Sequence, residues 1–494
     1  MNSNNPFATK MSELASLTTT ENGAIAYATT SSPLVDLFST IGALRESNED
    51  NIIRFYGMID GAYREDKQLL ARMLFYARDV RGGLGERDTF RSAIHYCAIN
   101  HPDIIENNIR FIPEYGRWDD MFALVGTPLE DKMWAIVKAV YDADLTAVKE
   151  GKTNISLLAK WLPSADASSE NTRKKGCYVA KRLSDSVYNY KREVKALRKV
   201  IDTIESHISA KDWNSYDYSK IPSKAMLKYN NAFYRNDGVR FNQYLMDVSK
   251  GKAKINAGTL YPYDIIRMLN NEDTKVCEEL WRVLPNYVEG ENNYLVMADV
   301  SGSMTCLGRL PLYSSIGLAI YFAERNKGAF KNLFMTFSSN PSIIEIPEHY
   351  NLREKYKLVL NSDWGGCTDL ERAFRLILHI AVKSHCKQEE LPKSLIIITD
   401  MEFDSATRND KPFINVMREL FEANGYEMPN IVFWNVNSRN STYHSKADMP
   451  NVQLVSGQST STFKHLVEGL NKTPYEMMRQ ILSDKRYDRI FVPE

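Results

Sequence analysis

The stretch at residues 294–303 reads Tyr-Leu-Val-Met-Ala-Asp-Val-Ser-Gly-Ser and decides the fold of the second half of this chain. Its first five residues are all apolar, which predicts a strand buried on both faces of a parallel sheet. Asp299, Ser301 and Ser303 then place one carboxylate and two hydroxyls at alternate positions. Because open α/β sheets bind ligands outside the carboxyl ends of their strands, this loop is a candidate binding site.

Two further oxygen donors occupy similar positions. Thr368 lies in a loop just before a helical stretch, and Asp400 ends the apolar run 395–399. Hard oxygen donors suit Mg²⁺, which takes few protein ligands and keeps several waters. A lone D-x-S-x-S is more often an ordinary turn or helix cap, but the two added donors favour a metal site. Mg²⁺ and Mn²⁺ both suit oxygen ligands, so the identity of the metal stays open.

The second half of the chain alternates strand-like runs with helix-like segments, which predicts a mostly parallel, doubly wound α/β sheet covered on both faces. The strand-like runs are at 294–299, 332–337, 395–400, 431–436 and 452–455, and the helix-like segments are at about 311–326, 369–385 and 411–424. A short run at Ser342–Ile346 is a candidate antiparallel edge strand.

The first half of the chain has helical periodicity. Apolar residues recur three and four apart, as in Val187, Tyr190 and Val194, and short connectors predict stacked antiparallel helix pairs. The fold class is therefore predicted to be multidomain, an α domain followed by an α/β domain. The predicted parts are a partly flexible segment at 1–50, a helical-repeat domain at 51–285, the α/β domain at 290–470 and a C-terminal helix at 471–494.

The overall composition is that of an ordinary globular protein, with 44% hydrophobic and 25% charged residues. The longest apolar stretch, Ile316–Ala323, is shorter than the roughly 20 residues of a membrane-spanning helix. The N-terminus lacks the pattern of a signal segment. Six scattered cysteines without a C-x-x-C pair argue against a disulfide framework or a structural zinc site. We therefore expect a soluble, cytoplasmic protein with no membrane partner.

Charge is unevenly distributed although the net charge is zero. Residues 151–260 contain 21 Lys and Arg but only 10 Asp and Glu. The candidate RNA-binding residues in this region are basic: Arg173, Lys174, Lys175, Lys181, Arg182, Lys191, Arg192, Lys195 and Lys199. Basic side chains neutralise phosphates, and the nearby tyrosines could stack on unpaired bases. A solvated helix face, with the tyrosines in the core, is the other interpretation, and both stay open.

No convincing catalytic constellation is present. The chain has no G-x-S-x-G elbow and no H-E-x-x-H pair. Asp400, Glu402 and Asp404 could form a two-metal carboxylate cluster, but residues just past a strand end more often form a polar loop. We therefore predict a protein that is not an enzyme.

The constellation of oxygen donors resembles the metal-ion-dependent adhesion site of von Willebrand factor A domains, and the resemblance covers roughly residues 290–470. It implies that Ser301, Ser303 and Thr368 bind the metal directly. Asp299 and Asp400 would act mostly through water. A carboxylate from a protein partner would complete the coordination shell.

Several segments of the first half also resemble a family. They are ARDVRGGLGERD at 77–88, YGRWDD at 115–120, LAKWLPS at 158–164 and DYSKIPS at 217–223. With the C-terminal site, they are similar to a bacterial, phage and plant family described as a domain of unknown function. That family distantly resembles the Ro autoantigen (TROVE) proteins, in which a HEAT-like helical-repeat ring precedes a von Willebrand A domain.

The resemblance to Ro proteins implies a function. Ro proteins bind small structured RNAs and misfolded RNA, which implies a non-catalytic RNA-binding scaffold with the basic region at 173–199 as its RNA contact. No preference for DNA is evident. The alternative is a metal-dependent protein–protein interaction module that binds no nucleic acid.

Overall fold

The structure, a computed structural model, describes residues 16–45, 49–270, 274–288, 293–336, 340–362, 368–405, 412–468 and 471–493. The chain divides into two compact units. The α/β unit comprises Met1–Met73, Gly82–Leu84 and Ala257–Lys485, and the helical unit comprises Leu74–Arg81, Gly85–Asn256 and Arg486–Glu494.

Eight strands form two sheets in the described residues. The strands are β1 Leu17–Thr19, β2 Ile25–Tyr27, β3 Tyr294–Ala298, β4 Leu333–Met335, β5 Ile343–Glu345, β6 Ser394–Thr399, β7 Asn430–Asn435 and β8 Val452–Ser456. β1 and β2 form an antiparallel hairpin, and the other six form a mixed sheet in the order β5-β4-β3-β6-β7-β8. All pairings in this sheet are parallel except that of β5, which runs antiparallel to β4.

Twenty α-helices lie in the described residues. The helices are α1 Pro33–Phe38, α2 Glu49–Glu65, α3 Lys67–Arg78, α4 Asp88–Asn100, α5 Asp103–Glu106, α6 Ile112–Tyr115, α7 Glu130–Lys149, α8 Leu158–Trp161, α9 Glu170–Leu183, α10 Val187–Ile201, α11 Ile204–Ala210, α12 Ser223–Ser249, α13 Pro262–Ile266, α14 Lys275–Arg282, α15 Cys306–Arg325, α16 Leu352–Leu360, α17 Leu370–Lys383, α18 Phe413–Ala423, α19 Phe463–Glu468 and α20 Pro474–Leu482.

The mixed sheet positions the candidate site. Every residue of β3, β6 and β8 is buried, because helices and loops cover both faces of the sheet. Strand order reverses between β3 and β6, where Ala298 pairs with Ile398. In doubly wound sheets such a reversal opens a crevice at the carboxyl ends of the two strands, and ligands bind there.

Helix α15 is the central helix of the α/β unit. It packs against β3, β4 and β6, and all of its residues from Pro311 to Ala323 are buried. Together with the preceding turn, the segment Gly302–Arg325 is long and apolar enough to span a membrane, but 72% of its apolar window is buried inside the fold. The sheet therefore accounts for the apolar composition of this helix.

The N-terminal segment differs from the sequence prediction. Residues 1–15 lie outside the described residues, but residues 17–44, assigned above to a partly flexible part, form β1, β2 and α1. Tyr27 exchanges two backbone hydrogen bonds with Tyr443 (2.7 and 2.9 Å). The backbone N–H of Gly42 donates to Ser456 Oγ at the end of β8 (3.0 Å). Sequence reasoning missed this packing because it depends on contacts with residues about 400 positions away.

Neighbouring helices pack together in the helical unit. Helix α7 packs against α9 and α10, which also pack against each other. Ser169 and Ser186 cap α9 and α10 by accepting hydrogen bonds from the backbone N–H groups of Thr172 (3.4 Å) and Asn189 (3.1 Å). Helix α10 ends at Ile201. The next residue, Asp202, has a left-handed φ of 52° and separates α10 from α11, although the apolar spacing continues into α11.

The C-terminal end also differs from the predicted helix at 471–494. Helix α20 ends at Leu482, and residues 486–494 belong to the helical unit. There, Asn108 exchanges two hydrogen bonds with the backbone of Phe491 (2.8 and 3.1 Å). Arg486 Nη2 donates to the buried carboxylate of Asp79 (2.6 Å). These side-chain bonds to the tail replace a continued helix.

The predicted order of a helical region followed by a mixed-sheet region is confirmed. The predicted strand-like and helix-like runs match β3 to β8 and α15, α17 and α18, including the antiparallel edge strand β5. Residues 337 and 411, at the ends of two predicted runs, lie outside the described residues. The domain boundaries differ from those predicted, because residues up to 73 and from 257 to 285 belong to the α/β unit.

A pair of glycines tests the packing of the N-terminal segment. A Cβ on Gly42 would lie 2.7 Å from the backbone oxygen of Ser456, whereas a Cβ on Gly57 in α2 would meet nothing within 4 Å. We expect Gly42→Ala to lower the free energy of unfolding by about 1–3 kcal/mol. Gly57→Ala should raise it by about 0.5–1 kcal/mol through helix propensity. Urea unfolding measures both, and an equally stable Gly42→Ala variant would contradict the described packing.

Candidate metal centre and basic surface

Two buried carboxylates lie at the strand-order reversal. Asp299 follows β3 and Asp400 follows β6, and each residue is only 2% exposed. Asp299 Oδ1 accepts a hydrogen bond from the backbone N–H of Ser301 (2.8 Å), and Oδ2 accepts one from Thr399 Oγ1 (2.8 Å). Both oxygens of Asp299 are therefore fixed in place.

The electrostatics of this pair favour a bound cation. Burial and the charge of the neighbouring Asp400 raise the pKa of Asp299 above its usual range, despite the hydrogen bonds from Ser301 and Thr399. The two carboxylates follow paired strand ends and lie close enough for the charge of Asp400 to act on Asp299. A divalent cation bound beside them would stabilise both charges.

Two hydroxyls follow Asp299 in the same loop. Ser301 and Ser303 are half-buried, and their Oγ atoms lie 3.0 Å apart at the turn that precedes α15. The half-buried hydroxyl oxygens and the buried carboxylates form a donor set of hard oxygens. The residues present therefore fit a small divalent cation whose coordination shell is partly water.

Thr368, the fifth predicted donor, is buried and bonded to the loop after β6. Its Oγ1 donates to the backbone oxygen of Glu402 (3.1 Å), and its backbone N–H donates to Asp404 Oδ2 (2.5 Å). The hydrogen bonds recorded for the described residues do not join Thr368 to Ser301 or Ser303. The site is thus made of two groups, one after β3 and one after β6. Residues 363–367, which precede Thr368, lie outside the described residues.

Sequence reasoning missed Arg439, which contacts the site directly. Its Nη2 donates to Asp400 Oδ2 (2.8 Å) and its Nη1 donates to Glu21 Oε2 (2.7 Å). Burial lowers the pKa of Arg439, but the charges of Asp400 and Glu21 outweigh that effect and raise it. Because Arg439 follows β7, the rule that ligands gather at carboxyl ends of strands could have identified it. Nothing in the sequence around Glu21 indicates that this residue contacts the site.

The carboxylates after β6 have separate partners. Glu402 accepts hydrogen bonds from the backbone N–H of Glu21 (2.7 Å), Asn440 Nδ2 (3.0 Å) and Thr442 Oγ1 (3.1 Å). Asp404 accepts one from Thr368, as noted above. In the described part of the chain, no group of three or more His, Cys, Asp or Glu residues is arranged to hold a metal. A cation here would therefore depend on the hydroxyls.

The basic surface, defined as the nine residues predicted above to contact RNA, lies on α9 and α10 of the helical unit. All nine side chains are solvent-exposed. Lys174, Arg182 and Lys191 form ion pairs with carboxylates of the same unit. No ion pair is recorded in the described residues for the other six: Arg173, Lys175, Lys181, Arg192, Lys195 and Lys199. A groove of about 330 Å³ on this surface is lined partly by Arg173, Tyr178 and Lys181.

The aromatic residues near the basic surface divide into two groups. Tyr190, Tyr216 and Tyr218 are buried in the core, as expected for most tyrosines in a helical domain. Tyr178 and Tyr188 are exposed, with 37% and 73% of their surface accessible. Only these two of the five tyrosines are accessible enough to stack on a base.

Two family models match the chain. The model described as Domain of unknown function (DUF2828) matches residues 20–151 and 138–289. The model described as Domain of unknown function (DUF7788) matches residues 293–488.

Similar proteins include a viral protein and a solved structure. Uncharacterized protein L728 of Acanthamoeba polyphaga mimivirus is 28% identical over an alignment that covers 97% of this chain and 89% of that protein. The crystal structure of the Ro (RSR) protein of Deinococcus radiodurans is similar with a TM-score of 0.48 and 12% identity, covering 92% of this chain and all of that chain.

Glu402 offers a stability test of the loops around the site. Glu402→Ala would leave three donors without their acceptor, so we expect a loss of about 2–4 kcal/mol in the free energy of unfolding. Glu345→Ala, at an exposed position of edge strand β5, should change it by less than about 0.5 kcal/mol. Urea denaturation compares the two variants. Equal stability would show that Glu402 does not hold the N-terminal segment.

Proposed function

This chain belongs to the family described as Domain of unknown function (DUF2828), and from its geometry we propose that it is a non-catalytic binding scaffold with two sites. In the α/β unit, a von Willebrand A-type domain holds Mg²⁺ or Mn²⁺ for a protein partner. In the helical unit, the basic surface binds RNA.

One observation carries the cation site. Two buried carboxylates and two hydrogen-bonded hydroxyls follow the ends of β3 and β6, where the strand order of the sheet reverses. We assign Ser301, Ser303 and Thr368 as direct ligands, with Asp299 and Asp400 acting through water. The Thr368 hydroxyl donates its hydrogen to the backbone oxygen of Glu402, and its oxygen keeps lone pairs with which to bind the ion. A carboxylate of a protein partner would complete the shell.

Calorimetric titration of the full chain with MgCl₂ and MnCl₂ tests the cation site. Outer-shell changes already weaken metal sites about 10–100-fold, so losing two direct ligands in Ser301→Ala/Ser303→Ala should abolish measurable binding. The matched control is Ser459→Ala/Ser461→Ala, because these serines of the same unit also have hydrogen-bonded hydroxyls (2.7 Å). An unchanged affinity in the first variant would exclude this site.

The exposure of the basic surface favours the second function. Arg192, Lys195 and Lys199 share one solvent face of α10, while Val194 and Leu197 are buried on the other face. Arg198 is different, because it donates to the backbone oxygens of residues 159 and 162 and so stabilises the fold. Unpaired basic side chains beside exposed Tyr188 suit a flexible polyanion with accessible bases. The sequence resemblance to Ro proteins supports RNA as that polyanion.

Charge reversal tests RNA binding. We expect Lys181→Glu/Arg192→Glu/Lys195→Glu/Lys199→Glu to weaken binding of a small structured RNA at least about 100-fold and to flatten its salt dependence. These changes break no ion pair within the described residues. The control reverses Lys149, Lys211, Lys250 and Lys252, four exposed lysines of the same unit outside α9 and α10. Fluorescence anisotropy over a range of salt concentrations measures both, and equal losses would show a non-specific charge effect.

A further inference from the structure

Arg439 supplies a positive charge to the candidate metal centre without any bound ion. Its guanidinium joins Asp400 Oδ2 at 2.8 Å to Glu21 Oε2 at 2.7 Å. The side chain of Asp400 is 1% exposed, whereas that of Arg439 is 31% exposed. A buried carboxylate without a partner is strongly destabilising, so Arg439 stabilises Asp400 whenever the cation is absent.

Glu21 is held beside Arg439 by several other bonds. Its backbone N–H donates to Glu402 Oε2 (2.7 Å), and Asn440 Nδ2 donates to its Oε1 (2.8 Å). The neighbours Thr20 and Asn22 donate to the backbone oxygens of Phe403 (2.6 Å) and Glu402 (2.7 Å). The hairpin of β1 and β2 therefore fixes Glu21 in place, unlike one partner of a mobile surface ion pair.

We propose that Arg439 is an internal counter-cation that sets the affinity of the metal centre, and that Glu21 partly offsets its charge. This inference rests on the proposed cation site. The guanidinium neutralises Asp400, which is one of the two carboxylates that a divalent cation would stabilise. Each therefore weakens the binding of the other, and the coupling is reciprocal. With Arg439 in place, the two carboxylates leave one net negative charge for the incoming ion.

The charges of Arg439 and Glu21 must have opposite effects on the affinity for the cation. Removing the charge of Arg439 removes repulsion, so the cation should bind more tightly. Removing the charge of Glu21 leaves that of Arg439 less compensated, so the cation should bind more weakly. A purely structural role predicts otherwise, because disturbing the geometry through either residue would weaken binding in both variants.

Calorimetric titration of the full chain with MgCl₂ measures how each variant changes the affinity for Mg²⁺. We expect Arg439→Gln to bind Mg²⁺ about tenfold more tightly than the wild type, and Glu21→Gln about threefold more weakly. Arg439→Lys keeps the charge and should stay within about twofold of the wild type. The matched control is Arg282→Gln, which breaks an ion pair of 2.7 Å with Glu279 in the same unit and should leave the affinity unchanged.

Thermal unfolding gives a second readout. In EDTA, Arg439→Gln should melt below the wild type because Asp400 has lost its ion-pair partner and keeps only the hydrogen bond from the backbone N–H of Glu402 (3.3 Å). Saturating Mg²⁺ should then raise the melting temperature of Arg439→Gln more than that of the wild type, since tighter binding stabilises the folded state more. If Arg439→Gln binds Mg²⁺ no more tightly than the wild type, the proposed role of Arg439 is overturned. Absence of Mg²⁺ binding to the wild type would instead overturn the cation site itself.

Discussion

The repulsion between two buried carboxylates is the constraint on which this account depends. Asp299 and Asp400 end adjacent parallel strands, so the sheet itself brings them together. Water cannot screen their charges because both are almost fully buried. The surrounding residues supply a positive charge and hydrogen-bond donors. Thr399 and the backbone of Ser301 bind Asp299, and Arg439 binds Asp400. The proposed cation would supply the charge that remains uncompensated.

This constraint links the metal centre to the N-terminal segment. Arg439 contacts both Asp400 and Glu21, and Glu402 accepts hydrogen bonds from the same segment. The stability of the segment around Glu21 and the charge of the site are therefore linked through Arg439 and Glu402. A change in cation occupancy would alter the hold of Arg439 on Asp400. In the helical unit, by contrast, the basic surface is made by α9 and α10 alone.

The features that sequence reasoning found were local. The apolar run Tyr294–Ala298 forms a buried strand, and Asp299, Ser301 and Ser303 follow it directly, so the strand and the place of these side chains at its carboxyl end could be predicted. The role of these side chains as metal ligands stays a prediction. Exposure of Lys195 and burial of Val194 likewise follow from helical periodicity. Features that depend on distant contacts were missed. Glu21 and Arg439 are 418 residues apart, and only the folded chain brings them together. The prediction of a helix up to residue 494 failed for the same reason, because Asn108 donates a hydrogen bond to the backbone oxygen of Phe491.

The central claim is that a divalent cation binds where the strand order reverses. Anomalous diffraction from crystals of the full chain grown with MnCl₂ tests it most directly, because the ion is located without reference to any activity. The account predicts one strong anomalous peak within coordination distance of Ser301 Oγ and Ser303 Oγ, and none at that place in Ser301→Ala/Ser303→Ala crystals. A peak elsewhere, or no peak at saturating Mn²⁺, would contradict it.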